Sequence, residues 1–315
     1  MNDKQLALGR RGFLRTSIGA GLAAAGALGA ARKKIVFVAG PKSHGYGQHA
    51  HNSGCLLLAK CLNESVPGVE AVVHQDGWPA EASLFDGASA IVVFADGGAK
   101  HPMLGHFAEV DRLVKRGAGL AVMHYALIVD KGEQGNYFLD WIGGYYETHW
   151  SVNPMWTAEF KKLPSHPVTR GVKPFTIRDE WYYHMRFQPD MKGVTPVLTA
   201  VPPDATRERQ FGPHSGNPVV ASRKGMPEHV AWVYDRPGGG RGFGFTGGHY
   251  HWAWGEDDYR TLVLNGIAWT AGLEIPASGV PSATPTWPDL LANEEGERPE
   301  GFTQEQAREL LHPPK

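Results

Sequence analysis

The chain has 315 residues, 42% of them hydrophobic and ten of them tryptophan, which is enough for one large or two small domains with a sizeable core. Its 31 lysine and arginine residues nearly balance its 32 aspartate and glutamate residues, giving a formal net charge of −1. This balance excludes the basic footprint of a nucleic-acid-binding protein. The chain also carries 15 histidines, a high number, and they cluster in the sequence.

The N-terminal segment 1–31 has the pattern of a twin-arginine signal peptide. Arg10 and Arg11 precede a short run of small apolar residues, and Ala31 offers a small-residue cleavage site. An uncleaved membrane anchor or an ordinary amphipathic start is the alternative. We expect export of the folded protein to the periplasm or beyond, with no membrane association after cleavage.

Apolar strands and helices alternate through the first part of the mature chain. Continuous β-branched runs predict buried strands at 34–39, 69–74, 90–95 and 119–124. A helix capped by Asn52 or Ser53 and ending near Glu64 follows the first strand, and another covers 104–116. This alternation predicts a mostly parallel α/β sheet flanked by helices. Cys55 and Cys61 fall about 9 Å apart along the first helix, which is too far for a disulfide, so two buried free thiols are expected.

The middle of the chain reads as an antiparallel decoration of this sheet. Strand-like segments separated by proline and glycine occur at 156–160, 175–183, 194–199 and 219–222. Segments 229–234 and 242–246 return to the sheet, and 257–271 reads as a closing helix. We therefore predict one domain over 32–275. Segment 276–315 reads as a surface tail with a short helix after Thr303, which has a capping-box spacing to Gln306.

Histidines follow several of these strands at what should be one edge of the sheet. Ligands bind outside the carboxyl ends of strands in such sheets. The residues found there are His44, His49 and His51 after the first strand, Asp96 after the third, His124 after the fourth, and His249, His251 and Trp252 after the last. Imidazole is a common ligand of zinc, nickel, iron and similar ions, and the sequence does not distinguish these metals from manganese. Histidines from these separate segments could therefore hold a divalent metal at this edge of the sheet. The opening loop has neither G-x-x-x-x-G-K-[ST] nor GxGxxG, which argues against a phosphate-binding site there.

The stretch 179–184, DEWYYH, is the other chemically dense site. As a strand it would direct Glu180, Tyr182 and His184 to one side. A carboxylate and an imidazole beside a phenol suit acid–base catalysis, so Glu180 and His184 are the candidate catalytic residues. Substrate contact is expected from Asp96, Trp181, Tyr182, His251 and Trp252. A strand with a buried aromatic face is the structural alternative. No G-x-S-x-G or G-x-C-x-G elbow for nucleophilic catalysis is present.

Several motifs in the same order resemble the trehalose-utilisation, or ThuA-like, family over about residues 33–273. They are GLAVMHYA, HPVTRGV, DEWYYH and GRGFGFTGGHYHW, the last followed by a helix ending near AWTAG. The resemblance implies a flavodoxin-like fold of the class I glutamine amidotransferase type. His124 then stands where those relatives have their nucleophilic cysteine, and His249 matches their histidine. The resemblance therefore argues against glutamine amidotransfer and for two imidazoles that meet. With His49 or His51 beside His124 and His249, it implies a divalent metal site, while His44 is expected to be structural.

The family context is disaccharide catabolism beside oxidoreductases that make 3-keto sugars. This suggests metal-dependent cleavage of 3-keto-glycosides, in which a base removes the C2 proton, the C1 substituent leaves by elimination, and water adds. Three alternatives stay open: a non-catalytic sugar- or metal-binding protein, a conventional glycoside hydrolase with two carboxylates, and a structural relic of the fold. The partner expected in the catalytic case is a small-molecule sugar.

Overall fold

The computed structural model describes residues 32–314, so the predicted signal peptide lies outside the described residues. Eleven strands are found in this part of the chain: β1 Lys33–Ala39, β2 Val69–His74, β3 Ala88–Phe94, β4 Gly119–Met123, β5 Gly144–Tyr145, β6 Trp156–Phe160, β7 Phe175–Asp179, β8 Arg186–Phe187, β9 Val194–Ala200, β10 Glu228–Asp235 and β11 Arg241–Phe245. The α-helices of the same part are α1 His51–Ser65, α2 Phe107–Lys115, α3 Glu133–Ile142, α4 Asp204–Arg207, α5 Pro218–Ala221, α6 Asp257–Thr270, α7 Trp287–Leu291 and α8 Gln304–Leu311. Among these, no helix combines the length and apolar character needed to cross a bilayer.

A seven-stranded sheet in the order β2-β1-β3-β4-β11-β10-β9 forms the centre of the fold. The first five strands in this order run parallel. Strands β10 and β9 extend the sheet with antiparallel pairing, β10 against β11 and β9 against β10. Two small antiparallel pairs, β5 with β8 and β6 with β7, lie outside it. The predicted mostly parallel sheet with antiparallel additions is confirmed.

Both faces of the sheet are buried, which explains the continuous apolar strands. Successive residues of a strand point to opposite faces. Ile35 and Phe37 belong to one apolar core together with α1 and α6, whereas Val36 and Val38 belong to the other together with α2 and α3. Because each strand residue enters one of these cores, a hydrophobic side chain is favoured at every position.

Three local predictions are corrected. Segment 219–222 forms part of helix α5 instead of a strand, because Pro218 begins the helix and the Asn217 side chain accepts a hydrogen bond from Val220 N. Helix α1 begins at His51, with Ala50 as the N-cap and no side-chain cap. The polar residues that follow, Asn52 and Ser53, bond to more distant segments instead. Helix α3 had not been predicted.

The third correction concerns 175–183, where strand β7 ends at Asp179. The tail helix α8 forms as expected, with Thr303 and Gln306 in a reciprocal capping box. Cys55 and Cys61 are buried free thiols on α1, as predicted.

Candidate metal centre

The candidate site lies at the carboxyl ends of the parallel strands. His49 is in the loop between β1 and α1, His124 follows β4 directly, and His249 follows β11. Asp96 lies shortly after β3, and Glu180 comes immediately after β7. Five separate segments therefore meet at the edge where ligands bind in sheets of this type.

His124 occupies a sharp turn at the end of its strand. Its φ angle is 55°, in the left-handed region that non-glycine residues seldom adopt. Its Nδ1 lies 2.8 Å from the carbonyl oxygen of Thr246, which can only accept. Nδ1 therefore carries the proton, and the lone pair of the neutral ring is on Nε2. The side chain is completely buried.

His49 is oriented in the same way by a carboxylate. Its Nδ1 lies 3.1 Å from Asp96 Oδ1, so Nδ1–H donates and Nε2 faces the other histidines. Ser43 Oγ donates to the same Asp96 oxygen at 2.7 Å. The backbone of His49 also donates to the carbonyl oxygen of His249 at 3.0 Å, which joins the opening loop to the loop after β11.

Four ligand atoms converge within 4.8 Å of one another: His49 Nε2, His124 Nε2, His249 Nδ1 and Glu180 Oε2. His49 Nε2 is 3.1 Å from both other imidazole nitrogens. Glu180 Oε2 is 3.1 Å from His249 Nδ1, 3.5 Å from His124 Nε2 and 3.9 Å from His49 Nε2. The other oxygen of Glu180 accepts from Asn153 Nδ2 at 3.0 Å.

The charges of the cluster are strongly coupled. Burial lowers the pKa of His124 well below its ordinary value. Burial would also lower the pKa of His49, but hydrogen bonds to Asp96 and Glu180 outweigh it and raise the pKa. For Asp96, the hydrogen bonds from His49 and Ser43 overcome burial and lower the pKa to about 2. Burial opposes the same effect at Glu180, yet the imidazoles hold its pKa well below the usual range.

Asp179 organises the site without facing the cluster. Its buried carboxylate accepts hydrogen bonds from Gly248 N, His249 N and the Tyr259 hydroxyl at 2.9, 3.2 and 2.6 Å. It also accepts from the backbone N–H of Glu180 at 2.8 Å. One carboxylate thus fixes the backbone on both sides of the cluster and ends strand β7 at the same point.

Three predicted histidines are not brought to the cluster. His51 begins α1, and its Nδ1 donates to Pro41 O at 3.0 Å, while Nε2 stays 3.9 Å from Asp96. His184 donates to Trp150 O at 2.9 Å and stacks on that indole, because the strand ends before it and its φ is 57°. His251 is buried and donates to Leu290 O in the tail at 2.9 Å.

The aromatic candidates differ in the same way. Tyr182 belongs to the site, since its hydroxyl is 3.3 Å from His124 Nε2 and 3.4 Å from Glu180 Oε2. Trp181 is fully buried, and Trp252 is covered by Tyr46 and by Trp287 and Phe302 of the tail. Neither indole offers a face for substrate.

His44, predicted to be structural, lies at the exposed side of the site. Its ring centroid is 3.7 Å from that of His49, and its Nδ1 is 2.8 Å from Ser43 Oγ. His44, His49 and Asp96 also form a second group with closely spaced ligand atoms. Ser43, Asn153 and Thr246 were not singled out from the sequence, because a lone serine, asparagine or backbone carbonyl leaves no pattern there.

Comparisons with known proteins agree with this fold. The family model described as "ThuA: Trehalose utilisation" matches residues 36–270. A ThuA-like protein from Bacteroides uniformis has a similar structure, with a TM-score of 0.57, 14% sequence identity, and coverage of 78% of this chain and 94% of its own. A second, from Parabacteroides merdae, gives a TM-score of 0.48 at 14% identity, covering 85% of this chain and 100% of its own. No curated protein matches the chain. Because the family model spans well over half of the sequence, the chain belongs to the ThuA family of trehalose-utilisation proteins.

Proposed function

We propose that this protein holds a divalent metal ion with His49, His124 and His249 and cleaves the glycosidic bond of 3-keto-glycosides by elimination followed by hydration. The observation that carries the proposal is the convergence of three imidazole nitrogens and one carboxylate oxygen within 4.8 Å. Two of the imidazoles have their outer nitrogens bonded, to Asp96 and to Thr246, so their inner nitrogens carry lone pairs.

The spacing of these atoms suits a single small cation. Four ligands about 2.1 Å from a tetrahedral zinc ion lie roughly 3.4 Å from one another. Five of the six separations in the cluster fall between 3.1 and 3.9 Å. Three imidazoles are a donor set typical of catalytic rather than structural zinc sites, and iron, nickel and manganese also bind such sets.

A divalent ion bound there would act as a Lewis acid on the C3 carbonyl and a neighbouring hydroxyl of the sugar. The protein supplies the base. Glu180 is mostly buried and held through Oε1 by Asn153, while Oε2 faces the cluster. We assign it the C2 proton, whose removal is favoured by the adjacent ketone, after which the C1 substituent departs.

A conventional glycoside hydrolase is less well supported. Such an enzyme keeps one carboxyl group protonated as a general acid, which requires a raised pKa. Both carboxylates of the site have lowered pKa values, because Glu180 and Asp96 each bind imidazoles. Glutamine amidotransfer lacks a nucleophile, since both cysteines are buried on α1.

The proposal is tested with protein purified without added metal. Elemental analysis should find about one equivalent of a divalent transition metal or zinc, and His124→Ala should lose it. A 3-keto-glucoside should release its aglycone with the loaded protein, and a chelator should stop the release until metal is restored. His229→Ala, at a half-buried histidine on β10, is the control. No release under any metal condition would reject the catalytic proposal, and tight sugar binding without turnover would favour a binding protein.

Glu180→Gln separates the two roles at the cluster. The variant should keep its metal, because three histidines remain, and lose activity, because the amide cannot accept the proton. Loss of metal from this variant would instead identify Glu180 as a fourth ligand.

The twin-arginine pattern supports a second part of the proposal, that the protein acts in the periplasm or outside the cell on a small-molecule sugar. Replacing Arg10 and Arg11 with lysine should retain the protein in the cytoplasm, as measured by cell fractionation. The N-terminal residue of the exported protein would give the cleavage position.

A further inference from the structure

A histidine outside the metal cluster is tied to Glu180 through a single residue. His214 belongs to the segment between α4 and α5, and its carbonyl oxygen accepts from Asn153 N at 3.0 Å. The side chain of Asn153 donates to Glu180 Oε1 at 3.0 Å. The neighbouring Pro213 carbonyl accepts from His149 N at 2.7 Å, so this segment is attached to the chain before Asn153 at two points.

The ring of His214 is held from one side. Its Nδ1 lies 3.1 Å from the Tyr146 hydroxyl. Tyr146 packs edge-on against Tyr182, whose ring stacks on His124 with centroids 4.7 Å apart. Burial raises the pKa of Tyr146, so the phenol keeps its proton. Nε2 of His214 has no hydrogen-bond partner among residues 32–314, and the side chain is half-buried.

An elimination that expels a strongly basic leaving group is assisted by a proton donor distinct from its base. Glu180 accepts a proton at C2, and the inner nitrogens of the three cluster histidines are committed to the metal. A sugar or alkyl leaving group would otherwise depart as a strongly basic alkoxide. His44, the exposed imidazole beside the cluster, stacks directly on the ligand His49.

We infer that His214 protonates the leaving-group oxygen, an inference that rests on the proposed function. In the first half, the C2–H bond breaks with its proton passing to Glu180, the C1–O bond breaks, and the departing oxygen takes the proton of His214 Nε2. In the second half, the oxygen of a water molecule bonds to C1 while neutral His214 takes a proton from that water. Glu180 then returns its proton to C2. Both groups end as they began, and the net change is addition of one water.

Burial and the nearby His149 lower the pKa of His214, and the Glu180 carboxylate opposes them. Glu180 is therefore the neighbouring group that favours the protonated ring needed in the first half, and the neutral ring is the form needed to activate water in the second.

Leaving groups of different basicity test the inference. Methyl and p-nitrophenyl 3-keto-glucosides of the same anomeric configuration are compared, after subtracting spontaneous elimination. In His214→Gln, kcat/KM for the methyl glycoside should fall about 100-fold or more. The p-nitrophenyl glycoside should be affected far less, because p-nitrophenolate departs without a proton. Metal content should not change.

Tyr146→Phe removes only the hydroxyl that holds Nδ1 and should give a smaller loss with the same selectivity. If His214→Gln does not fold, as judged by circular dichroism, Tyr146→Phe decides the question alone. The matched control is His229→Gln. His229 is also half-buried, and its Nδ1 is also hydrogen-bonded to a hydroxyl, that of Thr199, at 2.9 Å. Equal losses for both substrates, or none, would overturn the inference. A wild-type protein inactive on both substrates would instead reject the proposed function.

Discussion

Replacement of Asp96 by asparagine tests how the proposed metal ligands are oriented. Asp96 accepts from His49 Nδ1 at 3.1 Å and from Ser43 Oγ at 2.7 Å, and it is buried. Asparagine keeps the size and one acceptor but removes the charge. A hydrogen bond to an ionised group contributes about 1.5–3 kcal/mol and a neutral one about 1 kcal/mol. The difference of about 0.5–2 kcal/mol corresponds to about 2- to 30-fold weaker metal binding.

The assay is a competition titration of the metal-free protein with zinc and a chromophoric chelator. Ser43→Ala should weaken binding less than Asp96→Asn, because Ser43 acts only on the carboxylate. Asp111→Asn is the matched control, since the Asp111 carboxylate is bonded to Trp141 on α3 and to Lys115 on α2. Unchanged zinc affinity in Asp96→Asn would refute the orienting role. A loss as large as that of His124→Ala would make Asp96 a direct ligand.

Three further outcomes are expected from the same structure. Gly47→Ala should destabilise the opening loop and weaken zinc binding, because its φ is +69° and a Cβ would lie 2.3 Å from Trp252; Gly45→Ala, whose nearest neighbour would be at 3.7 Å, should be nearly neutral in both measurements. The lowered pKa of Asp96 contributes stability that is fully present above its ordinary pKa and is lost as the pH falls through about 2. Urea titrations of the metal-free wild type should therefore show a loss of about 2 kcal/mol of unfolding free energy over this range. Asp96→Asn should not show this loss. The two cysteines should react with a thiol reagent only after denaturation, since burial raises the pKa of both; rapid reaction of the native protein would contradict their placement.

The central sheet could be predicted from the sequence because both of its faces are buried. Every residue of β1 from Ile35 to Ala39 is fully buried, so the apolar run itself marks the strand. Segment 219–222 has similar composition but is short, and the side-chain cap from Asn217 determines its conformation. Asparagine followed by proline at the first helical position is a local signal for a helix, and the prediction of a strand from apolar composition overlooked it.

The site could be predicted only in part, because the exact ends of α1 and β7 determine which histidines reach the cluster. His124 follows β4 directly and His249 lies in the loop after β11, so the fold alone brings them to one edge. His49 and His51 could not be separated by spacing, because the onset of α1 at His51 turns that ring toward Pro41. His184 was grouped with Glu180 by alternation, which fails once Asp179 ends strand β7.

The backbone of the cluster is strained at two histidines, and the close approach of their ring nitrogens is unfavourable without a cation. His49 and His124 have φ angles of 45° and 55°, a region that costs an L-residue about 1–2 kcal/mol and that glycine would occupy freely. Their ring nitrogens also approach to 3.1 Å while buried, which places lone pairs against each other unless a proton or a metal lies between them. A cation that binds only the folded state at a thousand times its Kd adds about 4 kcal/mol, enough to offset these costs. We therefore expect zinc to raise the Tm by roughly 10 °C in the wild type. His124→Asn, which tolerates the same φ but contributes no imidazole, should fold and show little of this rise; an equal rise in both proteins would mean that zinc binds elsewhere.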